Sequence, residues 1–322
     1  MDDLIQVSII VPVFNARETL RRCVERIVKQ SEKRIQIILV DDYSSDDSLQ
    51  VCYELAKKDD RIEVYSQSSN KGPSAARNIG LSHANGKYIY FCDADDQMDL
   101  DCIKFLEDVM EQNSADLAVC GYYIDGTKVL ERNKTPDVLT AHQAAYMVAG
   151  AGNYQAKGYL WNKMFKKNII LRGVTFDETL FVCEDALFCQ QYIRLCGRIA
   201  YDATAKYNYI SQPNSAMRGK VSKRNLSVLQ GYDKIICCCQ AYNDCNLTNI
   251  LDANKMVHYS TLLVRIIKNY DKEQARLGQY VCEFVERDSY RMLKNKHFTL
   301  KRKLICLFSV AYLRLLKITT KK

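Results

Sequence analysis

The chain has 322 residues, and 48% of them are hydrophobic, which is enough for one large domain or one domain with a smaller appendage. Only 13 Gly and 4 Pro occur, so nothing in the composition suggests disorder or a repeat array. The net charge of +8 is uneven, because ten Lys and Arg residues and no acid follow Asp288, which leaves −2 for the rest. This distribution argues against a protein that binds nucleic acid over its whole surface. It indicates that the positive charge of the C-terminal segment has a local electrostatic role.

Neither a signal peptide nor a transmembrane helix is expected. The start of the chain lacks a basic region before its first apolar run, and no run of about 18 uncharged apolar residues follows. The 14 cysteines include no C-x-x-C pair. They are therefore expected to be small buried hydrophobes in a reducing cytosol, rather than disulfides or metal ligands.

The first third of the chain alternates strand-like apolar runs with helical patterns. Leu20, Cys23, Val24 and Ile27, for example, recur at the spacing of one helix face. Four alternations predict an α/β fold with a parallel sheet covered by helices on both faces. The predicted strands are Val7–Val13, Ile35–Val40, Ile62–Tyr65 and Lys87–Cys92.

Polar residues follow the ends of these predicted strands. They are Asn15 after Phe14, the pair Asp41-Asp42, Asn70, and the group Asp93–Asp96. Ligands of open α/β sheets bind beyond the carboxyl ends of the strands, so these residues predict a binding site. The chain has no G-x-G-x-x-G after its first strand and no G-x-x-x-x-G-K-[ST], which argues against a dinucleotide-binding dehydrogenase and a P-loop NTPase.

The acidic group Asp93–Asp96 raises the question of what compensates its charge, since packed carboxylates repel one another. A D-x-D pattern alone is weak, because about one occurs by chance in a chain of this length. Asp99 and Asp101 form a second copy that suits the start of a helix. The alternative for Asp93–Asp96 is a solvated turn. At a strand end, however, two close carboxylates with an open side predict a site for Mg²⁺ or Mn²⁺.

Four motifs occur together in a fixed order. They are Val11–Asn15, Val40–Asp46, Asn70–Gly80 and Asp93–Asp96. In this combination the chain resembles the inverting, nucleotide-sugar-dependent glycosyltransferases of the GT-A fold, the family 2-like enzymes. The resemblance is strong over residues 5–120 and moderate over 155–220. It implies a Rossmann-like, mostly parallel sheet. Tyr43 departs from the pattern, because the family commonly has Gly there, and this implies a reshaped nucleotide pocket.

The resemblance implies roles for the residues at the strand ends. Asp42 is the preferred contact to a uracil N–H, because a carboxylate can accept that bond. Asp95 would bind Mn²⁺ or Mg²⁺, and Asp93 would contact the metal or the ribose. Arg77 would border the nucleotide, or alternatively pair with Asp41 or Asp42. The implied donor-binding set is Pro12, Phe14, Asp41, Asp42, Asn70, Arg77, Asp93, Ala94 and Asp95.

A transferase that inverts by one displacement also needs a general base near the acceptor hydroxyl. Glu184-Asp185 precedes the apolar positions of a predicted helix. Acids in a first helical turn are common because they favour the helix dipole, and this is the alternative interpretation. The resemblance implies that Asp185 is the base and Glu184 a supporting neighbour.

Two further segments resemble parts of the family that border the acceptor and the diphosphate. Trp161 and Asn162 lie in the first, and Trp161 would stack on a sugar ring or belong to the core. Arg218 lies in the second, a segment that resembles a mobile lid, and would contact a phosphate.

The chain is divided at the sequence level into a catalytic domain and a helical region. Residues 1–220 form the predicted GT-A domain, with a nucleotide-sugar half over 1–120 and an acceptor half over 121–220. Residues 221–322 have helical periodicity and end in a basic amphipathic tail. The tail is predicted to lie on an anionic membrane surface, and the alternative is a solvated basic face packed on the bundle.

The predicted function is metal-dependent transfer of a sugar from a UDP-sugar to a saccharide or lipid-linked saccharide, in the synthesis of a cell-surface polysaccharide. The protein is expected in the cytoplasm, peripherally attached to the cytoplasmic face of the membrane, with no nucleic-acid partner. A nucleotidyltransferase that makes sugar nucleotides is one alternative, although the Gly-rich, basic N-terminal signature of such enzymes is absent. A non-enzymatic, membrane-associated basic module is the other.

Overall fold

The computed structural model describes residues 4–129, 137–152, 154, 156–212 and 219–319. The chain divides into two compact units. The first consists of Met1–Glu178 and Phe188–Ser211, and the second of Thr179–Leu187 and Gln212–Lys322. The second unit thus includes a short segment from the middle of the predicted catalytic domain. The functional bounds 1–220 and 221–322 stay a prediction.

The first unit begins with the predicted alternation of strands and helices. Its elements in chain order are β1 (Val7–Val13), α1 (Arg17–Val28), β2 (Ile35–Asp41), α2 (Ser48–Ala56), β3 (Ile62–Ser66), α3 (Pro73–His83), β4 (Tyr88–Phe91), β5 (Gln97–Met98), α4 (Cys102–Gln112), β6 (Leu117–Ile124), β7 (Thr127–Lys128), β8 (Asp137–Leu139), α5 (Ala141–Val148), β9 (Lys163–Lys166), α6 (Lys167–Ile170) and, after the segment of the second unit, β10 (Ile199–Tyr209). The helix α7 (Glu184–Ile193) begins within that segment.

One open sheet runs through this unit in the order β3-β2-β1-β4-β9-β6-β10-β5. The strands β1 to β4 pair in parallel, as predicted, and so do β6 and β10. The sheet is more mixed than predicted, because β9 pairs antiparallel with both β4 and β6, and β5 pairs antiparallel with β10. The parallel order places the carboxyl ends of β2, β1 and β4 side by side.

Helices cover both faces of the sheet. Val7, Ile9 and Val11 of β1 are fully buried in a core that includes residues of α1, α2 and α4. On the opposite face, α3 packs so closely that a Cβ at Gly80 would lie 2.4 Å from Ile10 Cγ2. A larger side chain at Gly80 would therefore push α3 away from the strand.

The second unit contains the long helices α8 (Ser227–Cys239), α9 (Cys245–Lys268), α10 (Lys272–Lys294) and α11 (Leu300–Thr319). Leu263 and Ile266 of α9 and Val281 of α10 are fully buried in its core. Lys255 of α9 is also buried, and its Nζ lies 2.9 Å from Asp288 Oδ2 of α10 and 2.5 Å from Asp233 Oδ1 of α8. This ion-pair network ties three helices together, since leaving any one of the buried charges unpaired is costly.

The last helix, α11, has one buried and one exposed side. Cys306 and Leu313 pack into the core of the second unit. Leu300 and Phe308 are each 71% exposed. Over the residues that the structure describes, no helix combines the length and apolarity needed to cross a bilayer.

Candidate active site

The loops that follow β1 and β2 are held together at the sheet edge. Asn15 N donates to Ser44 Oγ at 3.0 Å, and Ser45 N donates to Asn15 Oδ1 at 2.8 Å. Asn15 and Tyr43 have left-handed backbones, with φ of 47° and 60°. Asn tolerates this conformation, whereas Tyr does so at a cost, which explains why a Gly is common at this position in the resembling family. The chain therefore keeps the loop geometry despite Tyr43.

Asp42 uses its carboxylate to hold a neighbouring loop. Its Oδ1 accepts from Gln67 Nε2 at 2.7 Å and from Lys71 N at 2.8 Å, and its Oδ2 accepts from Gly72 N at 2.8 Å. Both oxygens are thus engaged by the protein. This geometry favours a positioning role for Asp42 over the predicted contact to a base.

Asp41, unlike Asp42, has a carboxylate oxygen that is left for a ligand. The residue is 2% exposed, and its Oδ2 accepts from Ser44 N at 3.1 Å. Its buried Oδ1 has no hydrogen-bond partner among the described residues, and neither does Asn70 Oδ1. A buried acceptor without a donor is costly, so both atoms fit a ligand that supplies N–H or O–H groups.

Arg77 lies on α3 and is 5% exposed. Its Nη2 donates to Asp93 Oδ1 at 3.3 Å, and its guanidinium carbon lies 5.5 Å from the centre of the Phe176 ring. Asp93 is thus an ion-pair partner of Arg77 in the structure. Arg77 places a fixed positive charge beside the acidic loop.

The acidic loop after β4 is anchored through Asp96. Asp96 is 1% exposed and accepts from Tyr207 Oη at 2.8 Å and from Ile210 N at 2.8 Å. Burial, and then the negative charge of Asp93, raise the pKa of Asp96 to about 8. Asp93 itself keeps 32% of its side chain exposed, and Asp95 is partly buried. Asp96 therefore anchors the loop to the segment of Tyr207 and Ile210, and Asp93 and Asp95 stay partly exposed to solvent.

Two carboxylates are few for a metal site made by protein alone. The described part of the chain contains no cluster of three or more His, Cys, Asp or Glu that could hold an ion. Mg²⁺ and Mn²⁺ commonly use one or two carboxylates and complete their shell with substrate phosphates and water. Asp93 and Asp95 fit that pattern, with Ala94, which is 7% exposed, between them.

The remaining donor-site candidates are at the edge of this arrangement. Phe14 is 49% exposed and Tyr43 58% exposed, so both aromatic side chains are available to a ligand. Pro12, in β1 beside Val40 of β2, is partly buried.

Trp161 lies in an aromatic stack. It is 4% exposed, and its ring lies 4.7 Å from that of Tyr159 and 4.6 Å from that of Tyr207, both nearly parallel to it. Since the indole is buried and already stacked on two tyrosine rings, the structure favours the core interpretation over stacking on a sugar.

Asn162, the neighbour of Trp161 in the chain, is fully buried and forms hydrogen bonds within the core. Its Nδ2 donates to Cys120 O at 3.2 Å and to Ala156 O at 3.3 Å. Lys163 is also fully buried, and its Nζ donates to Asn162 Oδ1 and to three backbone carbonyls. These bonds favour a positioning role for Asn162.

Glu184 and Asp185 form the first turn of α7, within the segment Thr179–Leu187 of the second unit. Glu184 is 9% exposed and Asp185 is partly buried. Cys183, directly before them, has a left-handed backbone with φ of 69°. Gly231 of α8 permits this sharp turn to pack closely, because a Cβ there would lie 3.2 Å from Cys183 Cβ. Arg218, the predicted phosphate contact, lies outside the described residues.

Sequence reasoning named Asn15 at a strand end but missed other residues that support the site. Ser44, Gln67 and Tyr207 fix the loops through bonds to Asn15, Asp42 and Asp96 in distant segments.

The open sheet with its acidic loop at the parallel strand ends is that of the GT-A glycosyltransferases. Residues 8–187 match the sequence profile of "Glycosyl transferase family 2", and the chain belongs to this family. EpsJ of Bacillus subtilis strain 168, described as an uncharacterized glycosyltransferase, is 32% identical over 65% of this chain and 62% of its own length. The cholesterol galactosyltransferase of Borreliella burgdorferi is 30% identical over 62% of this chain and 60% of its own length.

Solved structures agree on the fold. TarS 1-349 of S. aureus in complex with UDP superposes with a TM-score of 0.66 at 19% identity, over 96% of this chain and 90% of that one. The chain spans less than two thirds of the length of the curated relatives named above.

Proposed function

We propose that this chain transfers a hexose or N-acetylhexosamine from a UDP-sugar to a saccharide or lipid-linked saccharide, with inversion and with a divalent metal. The observation that carries the proposal is the buried, unpartnered Oδ1 of Asp41 at the carboxyl end of β2. The S. aureus TarS structures with UDP and with UDP-GlcNAc support the choice of donor. GgaA and GgaB of Bacillus subtilis, named as minor teichoic acid biosynthesis proteins, support a cell-surface polymer as the product.

In the proposed donor complex, Asp41 accepts the uracil N–H and Phe14 packs against the base. Asn70 Oδ1 accepts a hydroxyl of the nucleoside, which satisfies the second unpartnered oxygen. Pro12 borders the base. Asp42 has an indirect role, because its carboxylate positions the loop that contains Asn70 by accepting from Lys71 N and Gly72 N.

Asp93 and Asp95 would hold Mn²⁺ or Mg²⁺ together with the donor diphosphate. When bound, the metal neutralises negative charge on the leaving diphosphate. Arg77 orients the Asp93 carboxylate through its hydrogen bond. Arg218 is proposed as a further phosphate contact.

Asp185 is proposed as the general base that takes the proton from the acceptor hydroxyl. Glu184 supports it as a second carboxylate at the start of α7. The fixed turn at Cys183 would orient this pair, because a left-handed residue packed against Gly231 restricts the path of the chain.

The helix α11 is proposed to rest on the cytoplasmic leaflet of the membrane. Its exposed side carries large apolar residues, and it contains no acid. Lys301, Arg302 and Lys303 supply positive charge that attracts anionic headgroups. This placement suits an acceptor that is carried on a lipid.

The test is release of UDP from a panel of UDP-sugars by the purified chain, with a lipid extract as acceptor. We expect release with Mn²⁺, none with EDTA, and loss of at least about 100-fold in Asp185→Asn, since removal of a general base typically costs that much. Asp177→Asn is the matched control, because it removes one carboxylate to which the proposal assigns no role. Equal release from all three proteins would contradict the role of Asp185, and nucleotide transfer from UTP to a sugar phosphate would contradict the reaction itself.

A further inference from the structure

A cavity of about 550 Å³ lies in the second unit. Its wall includes Phe181 from the segment that carries Asp185, Arg224 just before α8, and Leu277 and Tyr280 from α10. Nothing in the proposed donor site uses these residues.

The described lining of this cavity is positively charged. It contains Lys223, Arg224 and Arg276 and no acidic side chain. No ion pair within the described parts of the chain includes any of these three residues, although Lys220, on the same stretch, is paired with Asp271. Three unpaired cations around a concave surface attract an anion more strongly than the same charges on a flat, solvated face.

Arg224 is held in place for such an anion. Its guanidinium carbon lies 4.5 Å from the centre of the Phe181 ring. A guanidinium stacked on an aromatic face keeps its N–H edges available for phosphate oxygens. Ser227 Oγ accepts from Phe181 N at 3.0 Å and donates to Arg224 O at 2.8 Å, which fixes both residues to the start of α8.

The apolar part of the lining narrows the chemistry of the ligand. Leu277 is 6% exposed, and Tyr280 and Phe181 are partly buried. Apolar and aromatic walls suit a sugar face or an alkyl chain, and the cations suit a phosphate attached to it. A free inorganic ion would leave the apolar wall unused.

We propose that this cavity binds a phosphate group of the acceptor, either a diphosphate that joins a saccharide to a lipid or a phosphodiester within a polymer. The proposal rests on the proposed transferase function, because it assigns the acceptor class of that reaction. Phe181 precedes Asp185 by four residues in the same segment, so an acceptor phosphate bound here is held by the segment that carries the base.

The test is calorimetric titration of the full chain, saturated with UDP and Mg²⁺, with two probes. Geranyl diphosphate represents the lipid diphosphate, and a glycerol phosphate oligomer represents the polymer. The saturated donor site cannot take up either probe. The proteins are the unchanged chain, the double variant Arg224→Gln/Arg276→Gln, and Lys294→Gln, which removes one exposed charge from the far end of α10.

We expect at least one probe to bind, with affinity lowered at least about tenfold in the double variant and unchanged in Lys294→Gln, since charge-assisted bonds are lost. The probe that binds identifies the source of the phosphate. Equal affinity in all three proteins, or no binding of either probe to a chain that binds UDP, would overturn the proposal. If no protein binds UDP but the probe binding still depends on the arginines, the donor proposal fails, and phosphate binding in this cavity stands without its assignment to the acceptor of a UDP-sugar. Should the double variant unfold, the probe affinity of the single variant Arg276→Gln is compared with that of Lys294→Gln instead.

Discussion

At the scale of single residues, the pair Asp41-Asp42 shows how adjacent side chains of one type take different roles. Asp42 accepts two backbone N–H groups and a side-chain amide, whereas Asp41 keeps one buried oxygen without a partner among the described residues. The sequence alone could not separate them, because the bonds to Asp42 come from residues more than twenty positions away.

The substitution of Asp by Asn is therefore expected to affect ligand affinity at position 41 and folding stability at position 42. Asp41→Asn should lower UDP affinity by about tenfold, because a charge-assisted bond becomes a neutral one, with little change in stability. Asp42→Asn should lower the free energy of unfolding by about 1–3 kcal/mol, because one N–H donor of the loop loses its acceptor. Urea unfolding and UDP titration of both variants check this, and the reverse pattern would return the base contact to Asp42.

Tyr43 gives a second prediction at this scale. Its φ of 60° is a conformation that disfavours any Cβ. Tyr43→Gly should therefore be more stable than Tyr43→Ala by about 1 kcal/mol, although Gly usually destabilises a fixed backbone relative to Ala. Thermal unfolding of the two variants measures the difference, and a more stable Ala variant would show that this loop adopts another conformation.

At the scale of elements, the sequence predicted what local patterns encode. The strands β1 to β4 and the helices between them follow from apolar periodicity, and their parallel order follows from the helical crossovers. It did not predict β9, because Lys163 at its start looks like a surface residue, whereas in the structure its buried Nζ donates to Asn162 Oδ1 and to carbonyls of the preceding loop. Nor did it predict that Asp96 anchors the acidic loop, because that role depends on Tyr207 and Ile210 of a distant segment.

His258 of α9 gives a prediction for pH dependence. It packs 5.3 Å from the ring of Tyr232 of α8, and burial, together with the charge of Arg302 of α11, lowers its pKa from 6.5 to about 4. The folded state therefore favours the neutral ring, so stability is retained above pH 6.5 and is lost as the pH falls toward 4. Chemical denaturation across this range should show a smaller fall for His258→Gln than for the unchanged chain. Parallel curves would show that the ring titrates normally.

At the scale of the whole molecule, charge and exposed apolar surface are unevenly distributed. The basic tail, the apolar side of α11 and the near-neutral remainder of the chain together favour attachment to an anionic surface. The sequence predicted the helix, and the structure adds which of its side chains are exposed.

Phe308→Asp is expected to reduce binding to vesicles that contain an anionic lipid, because it puts a negative charge on a residue that is 71% exposed on α11. The matched control is Leu171→Asp, since Leu171 is 73% exposed and lies in the first unit. Co-sedimentation with anionic and with neutral vesicles measures the effect. Equal loss in both variants, or equal binding to both kinds of vesicle, would contradict a specific surface for the membrane.

The strand ends are proposed to form a metal-dependent site for a uridine nucleotide. Calorimetric titration of UDP into the full chain, with Mn²⁺ and with EDTA, tests it most directly when Asp95→Asn is measured beside Asp99→Asn. We expect binding with Mn²⁺ that is lost in EDTA and in Asp95→Asn, and retained in Asp99→Asn, because Asp95 belongs to the proposed metal pair and Asp99 does not. Binding that is indifferent to the metal and to Asp95, or no binding of UDP to a folded chain, would contradict it.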